Sequence, residues 1–428
     1  MMRYVYSVLF YLALPFLFLR LLWRSRHLPA YRKRLSERLG YYPFTLKRSI
    51  WVHAVSVGEV LAAIPLIKAL QLRYPSFSFL VTTMTPTGAE RVKAAFGKEV
   101  FHVYLPYDLP DAMNRFLNEM NPIISIIMET ELWPNLIAKC SKKGIPICLV
   151  NARLSEKSAK GYRRIGGLTK YMLNHLTMIA AHGEQDAARF ISLGAPREKV
   201  SVTGNIKFDL ELKPTLKAQS EDVRQQLGQD RFVWIAASTH EGEEEKVLVA
   251  HQKLLEKYSD ALLILVPRHP DRFDTVMKLC EQNGLNTVRR STQVSSVEMQ
   301  QASVYLGDTM GELLMLYGVA DVAFVGGSLV STGGHNMLEP GALGKPILTG
   351  PYLFNFAEIS ELFLSKKALI KLPDSQVLTE QLIYLVEHPD ECQQMGKRAL
   401  EVVNANRGAL QKQLTLLHEV LVKHLGKR

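Results

Sequence analysis

The sequence is poor in the residues that recruit metals and disulfides. Its four cysteines, Cys140, Cys148, Cys280 and Cys392, stand far apart, and no two form a CxxC pair. That spacing offers neither a zinc ribbon nor a disulfide framework, and it suits a reducing cytoplasm. No HExxH or DxD motif occurs, and His53, His102, His240, His269 and His335 are too scattered along the chain to suggest metal ligation. GxxxxGK followed by Ser or Thr is missing, and so is GxGxxG, which argues against a P-loop ATPase and a dinucleotide-dependent dehydrogenase. There is no repeat at a solenoid period and no low-complexity tract. A composition that is 47% hydrophobic and 22% charged also excludes a disordered or fibrous chain.

What the sequence has is positive charge and length. Its 428 residues suffice for two or three domains, and 52 Lys and Arg against 41 Asp and Glu give a net charge of +11. Such a balance favours an anionic partner: nucleic acid, anionic lipid or a phosphorylated substrate. The N-terminus narrows the choice. From Tyr4 to Leu19 the chain is almost unbroken in apolar residues, and the run continues through Arg20 to Trp23. A spanning helix needs about 20 such residues, so this one is borderline, and it contains Pro15. Arg24, Arg26, Arg32, Lys33, Arg34 and Arg38 follow it, in place of a small-residue cleavage site. A membrane anchor is expected over residues 1–30, either crossing the bilayer or lying in its interface, with the rest of the chain cytoplasmic and the basic collar against anionic headgroups.

Beyond the collar, short apolar runs alternate with helix-like stretches. Strands are expected at 50–57, 77–84, 100–106, 122–129, 146–152 and 178–183. The polar, Pro-interrupted segment 205–220 reads as a linker, and the alternation restarts at 232–239, 261–269, 302–308, 321–328 and 345–351. The pattern predicts an α/β protein of two Rossmann-like halves, 31–210 and 211–428, with the final helix in the second half. Ligands of such sheets bind at the carboxyl ends of strands, which predicts a cleft between the halves.

Polar residues of several chemistries stand at those strand ends. Ser56-Val57-Gly58-Glu59 fits a capping box, with Glu59 reaching back to the Ser56 N–H. The same carboxylate is a candidate catalytic group, and the local pattern alone leaves both roles open. Thr82 to Thr85, Glu129, Glu131, Asn151 and Arg153 end further strands of the first half. In the second half the segment 322–348 carries four glycines within nine residues, Gly326, Gly327, Gly333 and Gly334. Free N–H groups there, and a helix start at Asn336, would suit a phosphate, with Glu339 placed for ribose hydroxyls. Arg268, directly after a strand, can bind phosphate through two N–H groups or serve as a surface ion-pair partner. Met310 to Glu312 can offer backbone N–H groups. The basic stretch 153–170 is either a grip on an anionic acceptor or a solvated helix face.

Taken together, SVGE, VTTMTPTGAERV, METELWPN, NARLSEKSAKGY, GNIKFD, STHEGEE, PRHPDRF, GDTMGEL and GGHNMLEP resemble the Kdo transferases, the 3-deoxy-D-manno-octulosonic acid transferases of lipopolysaccharide synthesis. The match runs from the apolar N-terminus to about residue 358. The resemblance implies a GT-B fold and an inverting, metal-independent transfer of Kdo from CMP-Kdo to the lipid A precursor lipid IV(A) at the inner membrane. It implies no cofactor and no nucleic-acid partner. By similarity Glu59 matches the general base, and Glu129 and Lys207 the residues that stabilise the transition state. Pro267, Arg268, Met310, Gly311, Glu312, Asn336, Met337, Leu338 and Glu339 match the nucleotide-binding segments. Two other readings stay open: a membrane-bound transferase using a uridine nucleotide sugar, and a membrane-tethered basic binding protein without catalysis.

Overall fold

A computed structural model of the chain describes residues 2–26 and 28–426. The chain divides into two compact units, Met1–Asp209 together with Arg407–Arg428, and Leu210–Asn406.

The first unit is built on strands β1 (Ser49–His53), β2 (Ser78–Thr83), β3 (Phe101–Tyr104), β4 (Pro122–Met128), β5 (Ile147–Ala152), β6 (Met178–Ala181) and β7 (Val200–Val202). They form one parallel sheet in the order β3-β2-β1-β4-β5-β6-β7. Alternate residues of β1 feed opposite faces: Trp51 joins the core cluster on one side, Ile50 and Val52 the cluster on the other. Burial on both faces explains why these strands read as continuous apolar runs.

The second unit repeats the plan with β8 (Val233–Thr239), β9 (Leu262–Pro267), β10 (Thr287–Arg289), β11 (Val304–Leu306), β12 (Val322–Val325), β13 (Ile347–Thr349) and β14 (Leu369–Lys371). All are parallel, in the order β10-β11-β9-β8-β12-β13-β14. Trp234 and Ala236 face one cluster, and Val233, Ile235 and Ala237 the other. The strand order reverses between β1 and β4 in the first unit and between β8 and β12 in the second. At such switch points the loops leave to opposite faces and open a crevice at the carboxyl ends of the strands.

The structure departs from the sequence reading in three places. β7, β10 and β14 were not expected; each is a three-residue strand at a sheet edge, too short for an apolar run to mark it. The supposed linker is largely ordered. Ile206 and Phe208 are buried in a 3-10 turn, and Leu216–Leu227 is a helix whose Leu216, Val223 and Leu227 enter the core of the second unit. The last helix, Ala409–Leu425, belongs to the first unit and not to the second. Its Ala409, Leu414, Leu417 and Leu421 complete the cluster that holds Ile50 and Val52. Burying each of those leucines contributes roughly 1.5–3 kcal/mol before entropy is counted. Polar contacts fix its register. Asp209 accepts the N–H groups of Gly408 and Leu410, at 2.5 and 2.6 Å, and Gln413 is fully buried.

At the other terminus, helix α1 (Met2–Arg24) is long and apolar enough to cross a membrane. One side packs on the first unit. Ser7 bonds Asn135, Phe10 and Phe18 meet the Tyr107 ring, and Leu21 joins the cluster of Leu109 and Ala112. The opposite side, with Tyr4, Val8, Leu12, Phe16, Leu19 and Trp23, is exposed.

Candidate active site

In the first unit the site starts where β1 ends. Ser56 has extended backbone and caps the helix α2 (Val57–Arg73), as the sequence pattern requires. The capping box differs from the expected one. Glu59 Oε2 accepts the Val55 N–H at 2.9 Å, not that of Ser56, and Oε1 accepts the Ser56 hydroxyl at 2.8 Å. The return bond from the Glu59 N–H to the Ser56 hydroxyl oxygen is long, 3.5 Å. The turn therefore aims the carboxylate as much as it caps the helix. Burial dominates its ionisation and pushes the Glu59 carboxyl up to about 7. The Val55 and Ser56 bonds pull the other way, and the neighbouring Glu129 and Glu131 carboxylates add to the rise.

Glu129 directly follows β4, on the far side of the switch point, with φ at 54°. A left-handed backbone is costly for a residue with a Cβ and is found mainly where the surroundings enforce it. Here the Glu129 N–H is held by the Val150 carbonyl at 2.9 Å. Glu131 accepts the Trp133 indole N–H at 2.8 Å, and burial raises its pKa. Lys207 approaches from GNIKFD. Asn205 Oδ1 accepts the Lys207 N–H at 3.0 Å, and buried Ile206 and Phe208 pin the turn on either side. The ammonium then lies 3.6 Å from Glu129 Oε1, each side chain about three-tenths exposed at 30% and 27%. Asn151, also left-handed at 49°, accepts the Ile206 N–H through Oδ1 at 2.9 Å and ties the turn to β5. Other strand-end candidates are structural: Thr82 accepts the Trp51 indole N–H, and Thr85 caps the helix Pro86–Phe96.

In the second unit, Pro267 is the last residue of β9 and Arg268 is exposed just beyond it. Met310 is 69% exposed and Gly311 takes a φ of 87°, so the main chain of that loop is presented outward. The Glu312 carboxylate is engaged by Arg290 through two bonds, 2.9 and 3.1 Å, which hold its pKa down. Asn336 donates to Glu339 at 3.1 Å and accepts the Leu338 N–H at 3.2 Å. Met337 and Leu338 are buried, and the Leu338 N–H is already taken by Asn336. Burial raises the Glu339 pKa, with the Asn336 bond and Arg268 opposing.

In its first part, directly after β12, the glycine-rich loop contradicts the expectation of free N–H groups. Glu243, fully buried, accepts the N–H groups of Gly327 (2.6 Å), Ser328 (2.9 Å) and Leu329 (2.8 Å), together with that of His240 (3.0 Å). This protein carboxylate already fills the cradle that Gly327 to Leu329 form. Three of the scattered histidines converge beside it. His240 Nε2 and His335 Nε2 are 2.8 Å apart, and the His269 ring centroid lies 5.4 Å from that of His240. Among the described residues no group of three or more His, Cys, Asp or Glu side chains is arranged to hold a metal ion. Sequence reasoning missed Glu243 and the histidine contact. The one hint was the run Glu243-Glu244-Glu245 opening a helix after a strand, which reads equally well as acids at a helix start.

This geometry invites comparison with known proteins. The structure of UDP-GlcNAc 2-epimerase from Neisseria meningitidis superposes with a TM-score of 0.55 at 15% identity, over 89% of this chain and 100% of that one. A glycosyltransferase from Rickettsia africae gives 0.54 at 14%, over 90% and 99%. At such identities the likeness concerns the fold, which is that of the GT-B glycosyltransferases. The sequence is more specific. Residues 33–210 match the family model of the N-terminal region of 3-deoxy-D-manno-octulosonic-acid transferase. The 3-deoxy-D-manno-octulosonic acid transferase of Haemophilus influenzae is 43% identical over 99% of this chain and 100% of its own length. The chain belongs to the Kdo transferase family and is a glycosyltransferase of lipopolysaccharide biosynthesis.

Proposed function

We propose that the chain transfers Kdo from CMP-Kdo to lipid IV(A) with inversion at the anomeric carbon, Glu59 acting as general base. The observation that carries this reading is the Glu59 carboxyl, aimed by Val55 and Ser56 and pushed up to about 7. A base works best when its pKa lies near the working pH. Inversion needs a single base on the acceptor side, to take the hydroxyl proton as that oxygen attacks. Lys207 and Glu129 are assigned to charge stabilisation around the reacting carbon. Their 3.6 Å pairing keeps the ammonium positioned while leaving both groups partly exposed to a ligand.

On the donor side, Pro267, Arg268, Met310 to Glu312 and Asn336 to Glu339 are assigned to the cytidine monophosphate. A guanidinium and backbone N–H groups can meet the leaving phosphate's charge, so transfer is expected to survive chelation of divalent cations. Helix α1 is assigned to the cytoplasmic face of the inner membrane. Packing on the first unit from Ser7 to Leu21 suits a helix lying in the interface with its exposed apolar side toward the lipid.

The test is transfer of labelled Kdo from CMP-Kdo to lipid IV(A) by the purified protein, beside binding of CMP and UMP. Transfer with a preference for CMP supports the reading. Preferential UMP binding without transfer would overturn it in favour of a uridine nucleotide sugar.

A further inference from the structure

Glu243 engages the N–H groups of Gly327, Ser328 and Leu329, so side chains must share with the remaining main chain in meeting an anion at the switch point of the second unit. The charged and titratable side chains there are Arg268, His269, Arg272, His240 and His335, with the carboxylates of Glu243 beside His240, of Glu241 and Glu244 paired to Arg272, and of Glu339 near Arg268. Two of them form a built arrangement. His240 follows β8, and His335 comes from the loop after β12. Their ring planes lie within 6° of parallel, with centroids 5.0 Å apart and the two Nε2 atoms in contact at 2.8 Å. Glu243 fixes both sides by accepting the N–H groups of His240 and Gly327. Gly327 is required for a steric reason as well: at its φ of 66° a Cβ would lie 2.8 Å from His335 Cδ2.

Proton counting limits what such a pair can do. In the neutral state one Nε2–H donates to the other Nε2, and the accepting ring carries its proton on Nδ1. A further proton on Nδ1 of the donating ring gives an imidazolium bonded to an imidazole, with the 2.8 Å contact intact and one positive charge. A second added proton would set two Nε2–H groups against each other and break the contact. The pair thus holds either no charge or one.

We propose that His240 and His335 act as one proton-sharing unit that takes up a proton when an anionic oxygen group of the sugar-nucleotide donor binds beside Arg268. This rests on the proposed donor-binding role of the second unit. The sign follows from the surroundings. Burial, then Arg268, His240 and His269, push His335 down to about 4. Burial also lowers His240, against the raising effect of Glu243 and with His269, Arg268 and Arg272 adding to the fall. Without an anion beside it the pair is therefore neutral at pH 7. An anion offsets those cations, raises the pair's pKa and draws a proton in, so binding strengthens as pH falls.

The anionic group has two sources, the phosphate and the sugar carboxylate. Free CMP would confuse the measurement, because a phosphate monoester itself titrates near pH 6. The probes are therefore the methyl diester of CMP, the corresponding diester of UMP, free Kdo and neutral cytidine. Binding to the full-length protein is followed by calorimetry at pH 7 in buffers of different ionisation heat, which counts protons. The expected result is uptake approaching one proton with the diester or with Kdo, whichever supplies the anion, and none with cytidine. His240→Asn and His335→Asn should each abolish uptake and weaken binding about tenfold at pH 6.5 but little at pH 8.5. The double variant should be no worse than either single one, as for two groups acting as a unit. His335→Gln, closer in size, serves where the Asn variant melts early. Tight binding without uptake, or uptake unchanged in the variants, would overturn the proposal. Uptake with the UMP diester in preference to the CMP diester would keep the pair's role and overturn the choice of cytidine donor.

Discussion

Replacing Glu59 by Gln separates the two roles that the Ser56-Val57-Gly58-Glu59 turn can play. Gln is isosteric, and its amide oxygen can still accept the Val55 N–H that Glu59 Oε2 accepts at 2.9 Å. The Ser56 hydroxyl can turn from donor to acceptor. The helix start therefore survives, and what is lost is the base. A general base contributes about 10²- to 10⁴-fold, or about 3 to 5 kcal/mol of the barrier. The variant's kcat/KM for Kdo transfer should fall by that factor, with binding of CMP unchanged.

Stability should move the other way. The Glu59 carboxyl is raised from 4.5 to about 7 in the folded chain, so the folded state binds the proton more tightly than the unfolded one. Below pH 4.5 the carboxyl is neutral in both states and costs nothing. As pH rises through the window between 4.5 and about 7 the cost of burying the anion grows, reaching on the order of 3 kcal/mol above it. Glu59→Gln removes that cost, so its melting temperature should match or exceed that of the parent at pH 8 and converge with it in acid. The parent's kcat/KM should rise with pH up to about 7 and then level off as Glu59 ionises. Turnover within a few-fold of the parent, or a loss of stability at pH 8 with turnover retained, would refute the reasoning and leave Glu59 as a cap.

Lys207→Met and Glu129→Gln should each lower kcat about 10²-fold or more, as lost transition-state donors do. Their pair is 27–30% exposed, so melting should shift by no more than a surface pair's ~1 kcal/mol; a large melting shift with kcat preserved would make the pair structural. Glu243→Ala strands N–H groups of His240, Gly327, Ser328 and Leu329 at a cost of about 1–3 kcal/mol for each that stays buried. Thermal melting of the second unit should therefore fall steeply, and an unchanged melting curve would refute the cradle. Replacing Leu12, Phe16 and Leu19 on the exposed side of α1 by Ser should strip the protein from anionic vesicles in a flotation assay, since each loses roughly 1.5–3 kcal/mol of burial in lipid. Full retention on the vesicles would remove α1 from the membrane contact.

What the sequence made legible were the features that local pattern controls. The long central strands announce themselves because both faces of a parallel sheet are buried, and the turn around Glu59 because Ser at a cap and an acid three residues on are a local device. Partnerships made at long range were hidden. Glu243 and Leu329 are 86 residues apart, so nothing in STHEGEE says that its first buried acid will close the glycine loop. The same holds for His240 and His335, which look scattered until β8 and β12 become neighbours across the switch point. The last helix shows the limit in its sharpest form. Its apolar stripe tells only that it must be covered, while Gln413, accepting the Asn151 N–H at 3.0 Å, decides by what. That one buried amide ties the end of the chain to the carboxyl end of β5. Through Asn151 it also meets the turn that carries Lys207. A segment with no distinctive motif of its own thus supports the backbone behind a candidate catalytic lysine.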